Sequence, residues 1–245
     1  MFNKNQSADG DRGPTRSSDA GRVTTALARS LTPTPLVEHE WPRSMRRYIA
    51  DKGTLYSEGD PRTHVYKVMS GAICLYRMLE DGRRQVIDFA FDGDIIGLGS
   101  GRLETCNALA VRATQVSCLP IGTMLAAAKA DTRIALGLYE ALSRELVVAQ
   151  EHLMCVGHRG ATERVASFLV ILSRRNVVRG HAPDVVELQM SRADIADFLG
   201  ITIETVSRTL TKLRVQGLID IEQITTLRLT SISGLVALAE GRTRV

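Results

Sequence analysis

Four polar residues near the end of the chain follow the spacing i, i+3, i+4 and i+7: Glu204, Ser207, Arg208 and Thr211. In an α-helix this spacing places all four side chains on one face. An arginine there could donate to guanine O6 and N7, and a glutamate could accept from a cytosine amino group. The face therefore has the chemistry of base-pair recognition. The alternative is a solvated ion pair between Glu204 and Arg208, which would contribute roughly a few tenths of a kcal/mol.

The surrounding segment, residues 190–213, predicts two short helices joined at a glycine. Ser191 and Asp194 have the spacing of a capping box that starts the first helix. Gly200 can adopt the left-handed conformation that ends it, and Thr202 suits the N-cap of the second helix. The buried faces are predicted to carry Ile195, Ala196, Leu199, Val206, Leu210 and Leu213. Such a pair is a helix-turn-helix, whose second helix enters the DNA major groove.

Two further segments complete this C-terminal domain, predicted at residues 157–245. β-Rich runs at 218–221 and 227–230, with a turn between them, predict a wing beside the helix-turn-helix. Gly157 and Gly160 predict a hinge, and a helix is expected from Ala161 to Ser173. Its apolar face carries Val165, Phe168, Leu169 and Leu172. The domain is therefore expected to be a winged helix-turn-helix.

The first half of the chain has a different composition and a different spacing of apolar residues. Residues 1–40 are rich in Ser, Thr, Asp, Gly and Pro and predict a flexible tail. Residues 41–120 contain the β-rich runs VYKVM, AICLYRM and RQVIDFA, and glycines recur every eleven or twelve positions from Gly59 to Gly93. This pattern predicts an antiparallel jelly roll, with a hairpin turn at Asp81–Gly82.

Residues 121–156 predict a long helix with one apolar stripe. The stripe contains Met124, Ala128, Leu138, Leu142, Ala149 and Leu153. Two arrangements fit such a helix: it could pack along its own sheet, or it could pair with a second copy in a two-stranded seam. We favour the seam, with Leu138, Leu142, Ala149 and Leu153 at the dimer interface.

Composition limits the classes of function. The chain has 245 residues, 44% of them hydrophobic, and a formal charge of +4, which permits an anionic partner without requiring one. The four cysteines form no C-x-x-C pair and are expected to be buried and reduced. Neither a signal peptide nor a bilayer-length apolar run is evident, so we expect a cytoplasmic protein without a membrane partner. No nucleophile–base–orienter set suggests an enzyme.

The segment ITIETVSRTLTKLRVQGLI, residues 201–219, resembles the DNA-contacting segment of the Crp/Fnr superfamily of bacterial transcription regulators. In that family's Fnr and FixK branches the pattern V/L-E-x-x-S-R accompanies TTGAT-type half-sites, and Ile203 and Ser207 place this chain with them rather than with the cyclic-AMP receptor branch. Gly59–Asp60, Ser70–Gly71 and the run Gly93–Gly97 resemble the family's β-roll. The resemblance extends from about Tyr48 to Ala239.

The resemblance implies an α+β fold with three parts: a cyclic-nucleotide-binding-like β-roll (a jelly roll), a long dimerisation helix and a winged helix-turn-helix. It implies a homodimer that binds a TTGAT-type palindrome in double-stranded DNA and activates transcription, in low-oxygen or nitrogen-fixation-related control. The expected base contacts are Ile203, Glu204, Ser207 and Arg208. The expected phosphate contacts are Arg192, Thr202, Thr205 and Lys212.

Two loops are candidates for contact with RNA polymerase. The polar stretch RGHAPD matches the position of the family's main polymerase contact and supplies Arg179, His181 and Asp184. The turn that contains Glu80 and Asp81 is the second candidate. For both, an ordinary surface loop is the alternative.

Departures from the family pattern bear on cofactors. Fnr-type sensors hold an iron–sulfur cluster through N-terminal cysteines, whereas the first cysteine here is Cys74. Family members that bind cyclic nucleotides use a glutamate and an Arg-Ser/Thr pair, where this chain has Gly97–Leu98–Gly99 and Asn107–Ala108. His39 and His64 suggest no haem site. We therefore expect no cofactor; the alternative is a roll that binds an unidentified small-molecule effector.

Overall fold

The computed structural model describes residues 44–99 and 101–242. The predicted tail and His39 lie outside these residues. In the described part of residues 44–120, eight strands form two four-stranded antiparallel sheets with the orders β1-β8-β3-β6 and β2-β7-β4-β5. The strands are β1 Met45–Ile49, β2 Thr54–Tyr56, β3 His64–Ser70, β4 Ala72–Met78, β5 Arg84–Phe91, β6 Ile95–Ile96, β7 Asn107–Ala110 and β8 Thr114–Pro120. The predicted jelly roll is confirmed.

The sequence features that predicted the roll have their expected positions in it. Val68, Ile73, Ala108 and Val116 are fully buried between the sheets. The hairpin between β4 and β5 turns at Gly82, whose φ of 81° lies in the left-handed region that glycine adopts without strain. At this turn the Arg83 amide donates to the Asp81 carboxylate at 3.0 Å.

The predicted helix 121–156 is two helices, α1 Ile121–Ala130 and α2 Thr132–His158. The break lies at Asp131, which has an extended backbone and accepts a hydrogen bond from the Arg133 amide, so that it caps α2. The single stripe was therefore wrong for the first turns. Met124 is buried with Val65 and Leu119 of the roll, and Leu138 packs partly against this cluster.

The C-terminal domain begins at α3, Ala161–Val178, which is longer than predicted. Gly157 lies in the last turn of α2, so the hinge consists of Arg159 and Gly160 rather than both predicted glycines. The other elements are β9 Val185–Glu187, α4 Arg192–Leu199, α5 Ile203–Val215, β10 Asp220–Ile221, β11 Thr226–Arg228 and α6 Ile232–Ala239. Strands β10, β11 and β9 pair in that order as the wing sheet.

The two domains share one hydrophobic core cluster. It runs from the β4–β5 face of the roll, including Phe89, into α3, α4 and α5. The Phe89 ring lies 5.5 Å from that of Phe198 and 6.5 Å from that of Phe168, centroid to centroid. Burial of each such ring contributes about 1.5–3 kcal/mol, so these aromatic contacts hold the helix-turn-helix against the roll. Among the described helices, none combines the length and apolarity needed to span a membrane.

Candidate nucleic-acid interface

Helix α4 begins and ends as its sequence predicts. The Ser191 hydroxyl accepts from the Asp194 amide at 3.1 Å, and the Asp194 carboxylate accepts from the Ser191 amide at 2.9 Å, which completes the capping box. Gly200 has φ 63° and ψ 42°, the left-handed conformation, and its amide donates to the Ala196 carbonyl. This geometry sets the direction in which the chain enters α5.

Helix α5 presents the predicted polar face. Thr202 caps it by accepting from the Thr205 amide at 3.2 Å. Val206, Leu210 and Leu213 are at most 2% exposed and anchor the helix to the core. The exposed side of the helix carries Glu204, Arg208, Thr211 and Lys212, with Ile203 also exposed and with Thr205 and Ser207 half-buried.

Glu204 and Arg208, two of the charged residues of this face, are not paired with each other. Glu204 and Arg208 form no salt bridge in the described part of the chain. The Glu204 pKa is lowered below its ordinary value by hydrogen bonds from its own amide and from the Thr202 hydroxyl, and the charge of Arg208 contributes less. The carboxylate is therefore ionised at neutral pH, and the guanidinium remains available to a partner.

Two expected DNA contacts are bonded to each other. Arg192, at the start of α4, donates from Nη1 to the Ser207 hydroxyl on α5 at 3.2 Å. Thr211 donates to the Ser207 carbonyl one turn further on, at 3.1 Å. Lys212 is exposed, as a phosphate contact would need to be. The structure thus joins Arg192, expected at phosphate, to a residue expected at the bases.

Arg164 of α3 braces the turn between α4 and α5. Its Nη1 donates to the Leu199 carbonyl at 2.9 Å and to the Gly200 carbonyl at 3.3 Å. A cation at a helix C-terminus also interacts favourably with the helix dipole. No local pattern indicates this contact, because Arg164 precedes the turn by about thirty-five residues.

The roll contributes a second brace, which sequence reasoning also missed. Arg84 of β5 donates to the carboxylates of Asp194 and Asp197, and Gln85 donates to the Asp197 carbonyl at 2.8 Å. Arg84 and Asp194 are largely buried, with side chains 25% and 12% exposed. The first helix of the helix-turn-helix is therefore tied to the roll by hydrogen bonds as well as by the aromatic cluster.

Helix α2 exposes an apolar heptad repeat. Tyr139, Leu146 and Leu153 are spaced by seven and are 69%, 60% and 72% exposed. Leu142 and Ala149, also exposed, alternate with them at spacings of three and four, as in a two-stranded coiled coil. Three predicted interface residues belong to this repeat. Leu138 instead packs against the roll. Tyr139 and Leu146 were not predicted as interface residues, because the predicted stripe began on the helix face that packs against the roll.

The loop expected to meet RNA polymerase is only partly free. Arg179 is drawn inward: its guanidinium lies 3.3 Å from the Asp94 carboxylate and over the Phe91 ring, and burial lowers its pKa. The expectation of an open Arg179 is corrected by these contacts. His181 is exposed, and Asp184 pairs with Arg228 of the wing at 3.2 Å. At the second candidate, Glu80 and Asp81 are both exposed, and Asp81 pairs with Arg83.

In the roll, polar groups near the predicted effector position are engaged by the protein itself. Arg62 donates to the Gly97 carbonyl at 3.0 Å and to the Gly101 carbonyl at 3.1 Å. Glu104 is 6% exposed, and burial raises its pKa. Asn107 accepts from the Glu58 amide. His64 is half-buried beside Thr63. Within the described residues, no three His, Cys, Asp or Glu side chains come together as a metal site.

The four cysteines are free, as the sequence predicts. Cys74, Cys118 and Cys155 are buried and Cys106 is half-buried. Burial raises the pKa of Cys74 to about 12, so its thiol is protonated at neutral pH.

Comparison with known proteins decides the family. A model of the Crp-like helix-turn-helix domain matches residues 163–238, and a model of the cyclic nucleotide-binding domain matches residues 46–131. The nitrogen fixation regulation protein FixK of Bradyrhizobium diazoefficiens is 40% identical over 207 residues, which cover 83% of this chain and 86% of that protein.

The chain belongs to the FixK/Fnr branch of the Crp/Fnr transcription regulators. The transcriptional activatory protein AadR of Rhodopseudomonas palustris, 38% identical over 79% of this chain and 81% of that protein, is a further relative. The structure of FixK2 from Bradyrhizobium japonicum superposes with a TM-score of 0.75 at 34% identity, over 80% of this chain and 96% of that one. The Crp/Fnr family consists of DNA-binding regulators, not enzymes, and its members are typically dimeric.

Proposed function

We propose that the protein is a homodimeric, cytoplasmic transcription activator of FixK type that binds a TTGAT-type palindrome. The observation that carries the proposal is the exposed face of α5, where Glu204 and Arg208 form no salt bridge with each other, on a helix whose opposite face is fully buried. A helix anchored on one side, with exposed charged groups on the other, meets the requirements for major-groove recognition. The names of the relatives, nitrogen fixation regulation protein and transcriptional activatory protein, support transcription activation in the control of nitrogen fixation.

Each DNA contact has a proposed role. Arg208 donates to a guanine, Glu204 accepts from a cytosine amino group, Ser207 contacts a third base and Ile203 touches a thymine methyl group. Thr202 and Thr205, at the first turn of α5, and Lys212 on its exposed face contact phosphates, as does Arg192. The phosphate contacts fix the orientation of the helix, and the base contacts supply the sequence preference.

Dimerisation is proposed through the heptad repeat of α2. Pairing two copies along Tyr139, Leu142, Leu146, Ala149 and Leu153 would cover the apolar side chains that the single chain exposes. The two α5 helices would then reach half-sites about one DNA turn, roughly 34 Å, apart. For RNA polymerase, His181 with Asp184 and the Glu80–Asp81 turn remain the proposed contacts, and Arg179 acts from inside the loop by holding its base.

The test of this function is DNA binding by protein purified in air, without an added cofactor. We expect binding to a duplex with two TTGAT half-sites to be about a thousandfold or more tighter than binding to a scrambled duplex. Binding that required a cyclic nucleotide, or that occurred only after anaerobic purification, would contradict the proposal in favour of an effector-gated roll. A thermal-shift screen with cyclic nucleotides provides the parallel check.

A further inference from the structure

The hydroxyl of Ser207 is held from one side only. Arg192 donates to its oxygen at 3.2 Å, and both side chains are half-buried at the junction of α4 and α5. Ser207 is not in contact with any hydrogen-bond acceptor for its own O–H in the described part of the chain. A serine hydroxyl has one donor proton and two acceptor lone pairs. In Ser207 one lone pair accepts from the Arg192 guanidinium, and the hydroxyl proton is donated to no described protein group.

A second arginine–serine pair in the same domain has a serine hydroxyl that both accepts and donates hydrogen bonds inside the protein. Arg159 donates to the Ser167 hydroxyl at 2.7 Å, and Ser167 in turn donates to the Glu163 carbonyl at 2.7 Å. In that pair both sides of the hydroxyl are satisfied inside the protein. The pair at Arg192 differs because its serine lies on the helix that carries the exposed polar face, with its proton still available.

We infer that Arg192 is a specificity-determining residue, which fixes Ser207 as a hydrogen-bond donor toward the DNA bases. A guanidinium that donates to a hydroxyl oxygen polarises the O–H bond and strengthens it as a donor. The same donation occupies one of the two lone pairs, and the positive charge makes the other a poorer acceptor for a base amino group. The inference rests on the proposed contact of Ser207 with a base.

If the Ser207 hydroxyl acts as a donor, it favours base edges that present a hydrogen-bond acceptor. In the major groove, thymine O4, guanine O6 and N7, and adenine N7 accept hydrogen bonds, whereas the cytosine N4 amino group donates. Ser207 should therefore favour an acceptor at its position and reject a donor. Arg192 can still touch a phosphate through its other N–H groups, so its removal should have two separable effects: a general loss of affinity and a relaxed preference at one base pair.

The experiment is a binding titration of the full-length protein against a TTGAT palindrome and all its symmetric single-base-pair variants. Ser207→Ala identifies the base pair whose preference depends on the hydroxyl. Arg192→Met removes the guanidinium and keeps an apolar stem. Arg214→Ala is the matched control, because it removes one exposed positive charge from the same helix, α5. Circular dichroism and thermal unfolding establish that each variant is folded.

We expect Ser207→Ala and Arg192→Met to relax the preference at the same base pair by about 2- to 10-fold, the range of one net hydrogen bond. The double variant should relax it no further than either single change. Arg214→Ala should leave every base preference intact. If that base is a thymine, replacing its T·A pair by a 5-methylcytosine·guanine pair, which keeps the methyl group and puts the N4 donor where the O4 acceptor stood, should weaken binding of the unaltered protein by a similar factor.

Two outcomes overturn the inference in distinguishable ways. If Ser207→Ala relaxes one base pair but Arg192→Met weakens all duplexes equally, Arg192 is a phosphate contact alone, and the base contact of Ser207 stands. If Ser207→Ala leaves every preference unchanged, the proposed base contact of Ser207 is itself wrong, and Arg192 has no specificity to determine.

Discussion

The roll and the helix-turn-helix use their polar side chains in opposite ways. In the roll, Arg62 donates to two backbone carbonyls and Asn107 accepts from the Glu58 amide, so these side chains are engaged by the protein itself. In the helix-turn-helix, Glu204, Arg208 and Lys212 are exposed on a helix whose other face is fully buried. Buried polar groups must find partners inside the protein, whereas exposed ones remain free for a ligand.

The roll positions the helix-turn-helix, whereas α5 carries the side chains that are proposed to contact DNA. The roll holds α4 through Arg84 and Gln85 and shares its aromatic core with α3 and α4. Because α4 is joined to α5, these contacts also limit the position and orientation of α5 relative to the roll. In the proposed dimer, the heptad repeat of α2 would set the distance between the two copies of α5.

The largest effect should come from breaking the dimer seam. Leu146→Glu would bury two like charges at a symmetric interface, at a cost of about 3–5 kcal/mol, so we expect monomers and loss of operator binding. Leu142→Glu should behave alike. Sedimentation and operator titration measure both effects.

Leu125→Glu is the matched control for this prediction. Leu125 lies on α1, off the heptad repeat, and is 50% exposed, so this variant should remain dimeric. A Leu146→Glu protein that still sediments as a dimer would locate the interface elsewhere.

A smaller effect is expected at the brace between the two regions. Arg84→Ala leaves the buried Asp194 and the half-buried Asp197 without their cation and should lower the free energy of unfolding by about 1–3 kcal/mol. The neighbouring Arg83 is 78% exposed and pairs with Asp81, so its change to alanine should lower the free energy of unfolding much less than Arg84→Ala, because solvent screens an exposed ion pair. Urea unfolding of the two variants compares them; equal losses would mean that Arg84 does not hold α4.

The same junction should respond to pH through His152. Its ring stacks on Phe198 at 4.2 Å, and burial, together with the charge of Arg164, lowers its pKa below 6.5. Because the folded state resists protonation of this ring, His152 opposes folding progressively as pH falls below about 6.5, and it contributes no such loss above that value. His152→Phe should reduce the fall in unfolding free energy between pH 7.5 and pH 5.5. An unchanged fall would exclude His152 as its source.

The smallest effect is expected at a phosphate contact. Lys212→Ala should weaken binding to all duplexes alike and reduce the slope of log affinity against log salt by about one unit per site. A titration at two salt concentrations measures this slope. Relaxed preference at a single base pair would instead make Lys212 a base contact.

The helix-turn-helix could be predicted in detail because its determinants are local. Ser191, Gly200 and Thr202 act within one or two turns of where they stand, and the buried and exposed faces follow from helical spacing. The break at Asp131 also has a local signal, an aspartate placed to cap the following helix, but an apolar stripe that continues across it indicates one uninterrupted helix.

What could not be predicted depends on contacts between distant parts of the chain. Arg84 and Asp194 are 110 positions apart, and no spacing rule relates them. The sequence around Arg179 predicts an exposed loop residue, but in the folded chain Arg179 contacts Asp94 and Phe91, which lie far from it in sequence. Strand β9 is three residues long and exists because it pairs with β11 of the wing.

Arg208→Ala is the sharpest test of base recognition by the exposed face of α5. The measurement is a titration of this variant and the unaltered protein against single-base-pair variants of a TTGAT palindrome and against random DNA. We expect a loss of about 1–3 kcal/mol per half-site, with preference relaxed mainly at the guanine. If Arg208→Ala weakened specific and random DNA equally, the arginine would be a backbone contact and the proposed recognition by α5 would be contradicted.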